Sequence, residues 1–361
     1  MPALSIMIKP ASSMCNLRCK YCFYHSLAKD RESFSFGKMQ HETVDMLVSK
    51  AIKFAGGDSI YFAFQGGEPL LAGIDYFKYF VKRAGELNTN HSTIYYALQT
   101  NGTLITEEWA KFFKENNFLL GVSLDGDADA NKFRVDAEGK PTNDLVADNI
   151  GLLQDYGIEF NVLIVATKFT AKNVERVYRY HTSHGCKYLQ FIPCLRPFGD
   201  KSENEMYMTN EDYEEFLIEL FNLYVKDFWR GDYTSVRQMD NWVNLFLSNK
   251  VEQCGMMGHC THQFVIEANG NVYPCDFYCT DEWLLGNINE SDFKSLANST
   301  KAIDFIKESL VYPDKCKSCK YFRMCRSCGC KRSRADRDYC EAYKGFFDKC
   351  LPLFRVFAGN R

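Results

Sequence analysis

The densest chemistry in the chain is a run of three cysteines in Cys15-x3-Cys19-x2-Cys22. In a reducing compartment, bunched thiols act as metal ligands before they pair as disulfides. Three thiolates leave a four-iron cubane one ligand short, because each iron takes one. The remaining iron is then open to an exogenous ligand. A structural zinc would need a fourth protein ligand, for which His25 is the candidate. The spacing and the aromatic neighbours Tyr21, Phe23 and Tyr24 favour the cluster.

The chain carries 16 cysteines, and most of the others are also bunched. Cys254-x5-Cys260-x14-Cys275 is followed by Cys316-x2-Cys319-x5-Cys325, Cys328, Cys330 and Cys340. A zinc site pairing Cys316/Cys319 with Cys325/Cys328 has a short gap between the two pairs, and it leaves Cys254, Cys260 and Cys275 unexplained. Cys186, Cys194, Cys279 and Cys350 have no evident partners and read as core thiols.

These groups need a scaffold. Strand-like runs occur at Leu4–Ile8, Ile60–Gln65, Ile94–Gln99, Leu119–Ser123, Glu159–Val165 and Tyr188–Ile192. Amphipathic stretches fall between them near Glu42–Phe54, Ile74–Leu87, Glu107–Glu115, Asp144–Asp155 and Ala171–His184, with Thr106 as an expected N-cap. Six successive β/α units predict a parallel sheet with right-handed crossovers, in a partial (β/α)6 TIM-like barrel. The cysteine triplet and the turns Gly66-Gly67-Glu68-Pro69, Thr100-Asn101-Gly102 and Leu124-Asp125-Gly126 all follow strands. Parallel strands open their C-terminal ends onto one face, so these signals converge on one ligand-binding mouth. Gln65 and Leu195, at strand ends, are candidates to line it. The expected organisation is a barrel over residues 1–200, a helical bridge over 201–250 and a cysteine-rich domain over 251–361, where Phe264–Glu267 and Asn271–Tyr273 read as a hairpin.

Cys15-Asn16-Leu17-Arg18-Cys19-Lys20-Tyr21-Cys22 resembles the signature of the radical S-adenosylmethionine (SAM) enzymes. The resemblance implies a [4Fe-4S] cluster on Cys15, Cys19 and Cys22, whose open iron chelates SAM and cleaves it to methionine and a 5′-deoxyadenosyl radical. Gly66-Gly67-Glu68-Pro69 resembles the motif that holds the SAM amino group, and Ser123 and Arg134 resemble the residues that hold its ribose and carboxylate. The SAM-binding candidates are therefore Tyr21, Gln65, Gly67, Ser123, Arg134 and Leu195. The later cysteines resemble the SPASM extension, which holds two further [4Fe-4S] clusters, making three in all. By that resemblance Cys254, Cys260, Cys275 and Cys330 hold the first auxiliary cluster. Cys316, Cys319, Cys325 and Cys340 hold the second. The usual Cys-x3-Cys is replaced here by Cys325-Arg326-Ser327-Cys328-Gly329-Cys330, so Cys328 is the alternative to Cys330; the basic pair Lys331-Arg332 favours Cys330.

Nearly the whole chain resembles the anaerobic sulfatase-maturating enzymes. The matching runs include Ile8-Lys9-Pro10-Ala11-Ser12-Ser13, Phe62-Ala63-Phe64-Gln65-Gly66-Gly67-Glu68-Pro69, Leu98-Gln99-Thr100-Asn101-Gly102-Thr103 and Tyr273-Pro274-Cys275-Asp276-Phe277-Tyr278. The resemblance implies oxidation of a cysteine or serine in an unfolded sulfatase segment, Cys/Ser-x-Pro-x-Arg, to Cα-formylglycine. It implies a flavodoxin or ferredoxin as electron donor and Asp276 as the base that deprotonates the target. Asp125-Gly126-Asp127 departs from the family's Asp-Gly-Pro, and Asn131 stands where a histidine is usual. The alternatives are a SPASM maturase forming a thioether, crosslink or epimer in another peptide, and a non-catalytic electron carrier, which would need no Gly67, Ser123 or Arg134.

Composition narrows the partners. Lys and Arg number 43 against 46 Asp and Glu, a net charge of −3, so no basic excess points to nucleic acid or an anionic membrane. No apolar run approaches the roughly 18 residues of a spanning helix, and no secretory leader is evident. The cytoplasm is the expected location.

Overall fold

The computed structural model describes residues 4–336 and 338–359. Its strands are β1 (Leu4–Ile8), β2 (Ile60–Phe64), β3 (Ile94–Thr100), β4 (Phe118–Ser123), β5 (Phe160–Ala166), β6 (Tyr188–Pro193), β7 (Ser235–Val236), β8 (Val265–Ile266), β9 (Asn271–Tyr273) and β10 (Gly286–Asn287). The helices between them are α1 (Phe23–Lys29), α2 (His41–Ala55), α3 (Ile74–Leu87), α4 (Glu107–Glu115), α5 (Asn143–Asp155), α6 (Lys168–Lys172), α7 (Val174–Ser183), α8 (Asn210–Arg230) and α9 (Arg237–Ser248). The chain is α/β, with the six β/α units expected from its periodicity. It divides into two compact units, the first made of Met1–Ser123, Val135–Phe160 and Thr261–Ile306, the second of Leu124–Arg134, Asn161–Cys260 and Lys307–Arg361.

In the first unit β1, β2, β3 and β4 pair in parallel, in that order. Alternation sets the faces: Leu4, Ile6 and Ile8 of β1 are buried, as are Ile60, Phe62 and Phe64 of β2. Phe62 and Phe64 pack edge-on against Phe80, with ring centroids 5.0 and 4.9 Å away, and Phe77 of α3 meets Trp109 of α4 at 5.4 Å. Each such fully buried aromatic contributes roughly 1.5–3 kcal/mol. Thr106 caps α4, its hydroxyl accepting from the Trp109 N–H. The β8–β9 hairpin extends the same sheet, because β8 lies parallel to β1 with Met7 opposite Val265 and Ile8 opposite Ile266. The return strand β9 runs antiparallel to β8, with Tyr273 opposite Val265 and Val272 opposite Ile266.

In the second unit β5, β6 and β7 are parallel. The helix expected over Ala171–His184 is two helices, α6 and α7, broken at Asn173 (φ −139°). Thr209 and Asp212 cap α8 reciprocally. A 20-residue C-terminal helix, Cys340–Gly359, packs on α8 through Phe354 stacked on Phe221 at 4.2 Å, and Phe346 meets Trp242 of α9 at 5.0 Å. Gly345 and Pro352 weaken its helix propensity. Burial of its aromatic face outweighs that weakness.

Candidate active site

The first unit presents the ends of β1, β2, β3 and β4 on one edge. The cysteine loop leaves β1 through two tight turns, with the Ser12 N–H on the Lys9 carbonyl at 3.1 Å and the Met14 N–H on the Ala11 carbonyl at 3.0 Å. Cys15 follows; the Leu17 N–H donates to its Sγ at 3.4 Å, and Asn101 Nδ2 from the end of β3 lies 3.8 Å away. Asn101 also holds Asn16, whose amide reaches Thr103. Cys22 is the N-cap residue of α1. Burial is the main cause that raises the Cys15 thiol, with the neighbouring Cys22 adding to it. Three thiols on one short loop suit a shared cluster, whereas among the described residues no three His, Cys, Asp or Glu side chains converge tightly enough for a single ion.

The turn after β2 clamps this loop. Gly67 (φ +55°) has no room for a side chain: a Cβ would lie 2.2 Å from the Met14 carbonyl oxygen and 2.8 Å from that of Ser12. The next residue, Glu68, donates its N–H to Met14 at 2.7 Å. Its fully buried carboxylate accepts from the Leu70 N–H (3.0 Å), the Thr100 hydroxyl (2.9 Å) and the Asn101 N–H (2.8 Å). Burial pushes this carboxyl up to about 7, against the pull of its three donors. The glycine expected to admit a ligand thus has an added reason, a close backbone approach that seats the cysteine loop. Glu68 was legible only as part of its motif. Ser123 is buried at the end of β4, and Tyr21 is half-buried in the loop.

Asp276 is buried at the start of a short turn after Cys275. The Tyr24 hydroxyl donates to its Oδ2, and Gln65 Nε2 donates to the same oxygen at 3.1 Å and to the Tyr24 hydroxyl at 2.7 Å. Lys9 Nζ lies 3.2 Å from Oδ1, 4.4 Å above the Tyr24 ring and 3.9 Å from Glu267, which in turn pairs with Arg31 at 2.6 Å. Burial opposes the charge on Lys9, but Cys279, Asp276 and Glu267 outweigh it and hold the ammonium protonated. Burial and the Asp276 carboxylate push the Tyr24 phenol far up, so it stays a donor. Gln65 and Asp276, both named from sequence, meet here. Lys9, Glu267 and Arg31 were not singled out for this role; the only signal was a lysine directly after a buried strand.

In the second unit Arg134 Nη2 lies 3.3 Å from Asp125 Oδ1, which also accepts the Val165 N–H at 2.9 Å. Asn131, one of the two departures, is fully buried, and its Oδ1 accepts the Asp125 N–H at 3.1 Å. The other, Asp127, takes Arg176 at 2.7 Å. Both therefore stabilise the turn. Leu195 is half-buried two residues beyond β6.

The later cysteines sort into two groups. Burial first and then Cys330 and Cys260 push the Cys254 thiol up to about 11. Cys275 belongs to the other unit. Cys316, Cys319, Cys325, Cys328 and Cys340 line one cavity. Cys328 thus stands with the second group and Cys330 with the first. Gly329 is required between them, since a Cβ there would meet the Gly255 carbonyl oxygen at 2.0 Å. Cys186, Cys194, Cys279 and Cys350 are buried.

Residues 10–181 match the radical SAM superfamily and residues 254–329 the iron-sulfur cluster-binding domain called SPASM. A cysteine-type anaerobic sulfatase-maturating enzyme of Clostridium novyi is 44% identical over 99% of this chain and 98% of its own. A serine-type enzyme of Bacteroides thetaiotaomicron is 28% identical over 97% and 90%. A solved structure described as native anSMEcpe with bound AdoMet and Cp18Cys peptide superposes with a TM-score of 0.93, at 42% identity over 99% of both chains. With that similarity along its full length, the chain belongs to the anaerobic sulfatase-maturating enzymes of the radical SAM superfamily.

Proposed function

We infer that this enzyme oxidises a cysteine, rather than a serine, of a sulfatase segment Cys-x-Pro-x-Arg to Cα-formylglycine. The higher identity to a cysteine-type than to a serine-type relative supports that choice. The observation that carries the mechanism is the buried set around Asp276. Its carboxylate is oriented by Lys9 and Tyr24, with Gln65 as a third partner. A base must stand within hydrogen-bond reach of the proton it takes, and Asp276 is the residue that would take the proton of the target thiol. Bound clusters and SAM would supply the radical that removes a Cβ hydrogen and the acceptor for the remaining electron.

The proposed cofactors are three [4Fe-4S] clusters, assigned by resemblance to Cys15, Cys19 and Cys22 for SAM, to Cys254, Cys260, Cys275 and Cys330, and to Cys316, Cys319, Cys325 and Cys340. Gly67, Ser123, Arg134, Tyr21, Gln65 and Leu195 are proposed to line the SAM site. The proposed organisation assigns residues 1–200 to the radical SAM domain, 201–250 to a bridge and 251–361 to the SPASM domain. A flavodoxin or ferredoxin is the proposed donor. Among the described residues no helix is long and apolar enough to cross a membrane. A reducing cytoplasm suits so many thiolates.

The test uses anaerobically reconstituted protein with paired sulfatase peptides that differ only in Cys or Ser at the target. Mass spectrometry should show formylglycine from the Cys peptide at least about tenfold faster, a difference of about 1.4 kcal/mol in barrier. Equal rates, or turnover of the Ser peptide alone, would overturn the target assignment. About twelve irons per chain are expected.

A further inference from the structure

A cubane with a full set of protein ligands takes four thiolates, one per iron. The second cysteine cavity offers five: Cys316, Cys319, Cys325, Cys328 and Cys340. The extra one is brought there by the backbone. Arg326, Ser327, Cys328 and Gly329 have φ of +48°, +60°, +57° and +88°, four successive residues in the left-handed region. Only glycine enters that region freely, and side-chain-bearing residues persist in it where their surroundings over-determine the conformation.

The surroundings do so here. Gly329 is pinned against Gly255, and a Cβ at Gly258 would sit 2.8 Å from the Cβ of Arg326. The left-handed turn folds the chain back so that the Cys328 N–H donates to Cys325 Sγ at 3.1 Å. Cys325 and Cys328 therefore occupy neighbouring positions on one wall of the cavity. Cys330 lies beyond the turn, its Sγ 3.4 Å from the Ser333 hydroxyl. The turn thus separates Cys328 from Cys330 while keeping Cys328 beside Cys325.

We propose that Cys328 is an alternate ligand of the second auxiliary cluster, exchangeable with Cys325 at a single iron. The proposal rests on the reading that this cavity holds a four-iron cluster. Its test is cluster content of the full chain, reconstituted anaerobically, in four variants: Cys316→Ala, Cys325→Ala, Cys328→Ala and Cys325→Ala/Cys328→Ala. Iron analysis and electron paramagnetic resonance are the readouts. Cys325→Ala and Cys328→Ala should each keep the roughly twelve irons of the parent and show no three-iron signal. Cys316→Ala and the double variant should lose up to about four irons or convert that cluster to a three-iron form.

Equal loss in Cys325→Ala and Cys316→Ala would overturn the proposal and make Cys328 a bystander. Loss in Cys328→Ala alone would overturn it too, making Cys328 the sole ligand at that iron. Retention of the other two clusters shows that a variant is folded. A parent protein with only about eight irons would instead overturn the two-auxiliary-cluster reading.

Discussion

Replacing Asp276 by Asn tests the base and the charge set around it together. In the parent, Lys9 and Arg31 balance Asp276 and Glu267 in a buried group with no net charge. Asn keeps the size of Asp but cannot take the target's proton, and it leaves the group with one excess positive charge. At 3.2 Å, and with an effective dielectric constant of about 20, the Lys9–Asp276 attraction is about 5 kcal/mol. Breaking a buried pair by removing one partner costs about 3–5 kcal/mol, so Asp276→Asn should melt well below the parent. Lys9→Met alone should do the same with the opposite excess charge. The double variant Lys9→Met/Asp276→Asn restores neutrality and should recover most of the lost stability.

Formylglycine follows a different rule. It should fall roughly 10²-fold or more in Asp276→Asn and stay low in the double variant, because the base is absent from both. Radical generation needs the Cys15–Cys22 loop and not Asp276, so 5′-deoxyadenosine release should persist. The assay pairs thermal melts with chromatography for 5′-deoxyadenosine and mass spectrometry for the peptide. Near-normal formylglycine from Asp276→Asn, with iron content intact, would reduce Asp276 to a structural aspartate. A double variant no more stable than either single one would show that the 3.2 Å pair is not what couples Lys9 to Asp276.

Gly67→Ala should drive the Gly66–Glu68 turn away from Met14 and Ser12, adding roughly 1–2 kcal/mol of left-handed backbone strain to the clash. Loss of about four irons with the auxiliary signals retained is the expected result; a full iron complement would mean the loop seats itself without this turn. His181 is fully buried, and burial pushes its imidazole down to about 3 from an ordinary 6.5. A base held neutral in the folded state gives stability that is present above about pH 6.5 and lost as pH falls toward 3. The loss at about pH 5.5 is about 1.4 kcal/mol. Thermal melts of the parent and of His181→Phe across that range should converge on acidification if the assignment is right; parallel curves would refute it.

What the sequence determined by itself was local. Cys15-x3-Cys19-x2-Cys22 announces its chemistry because three ligands on one loop need no tertiary information. The short β-rich runs at Leu4–Ile8 and Ile60–Gln65 announce strands, and Thr106 its helix. The resemblance carried this further, to Asp276 and the sorting of the later cysteines. Only the fold decided what joins distant residues. Tyr24 and Asp276 are 252 positions apart, and they meet in the unit where the β8–β9 hairpin joins the sheet beside β1. Lys9 becomes a buried counter-charge for the same reason. Propensity could not reveal the C-terminal helix, because contacts with α8 outweigh Gly345 and Pro352. The choice between Cys328 and Cys330 was open to spacing alone. The fold adds four successive left-handed residues, Arg326 to Gly329, which lie close to Gly255 and Gly258, some seventy positions earlier in the chain.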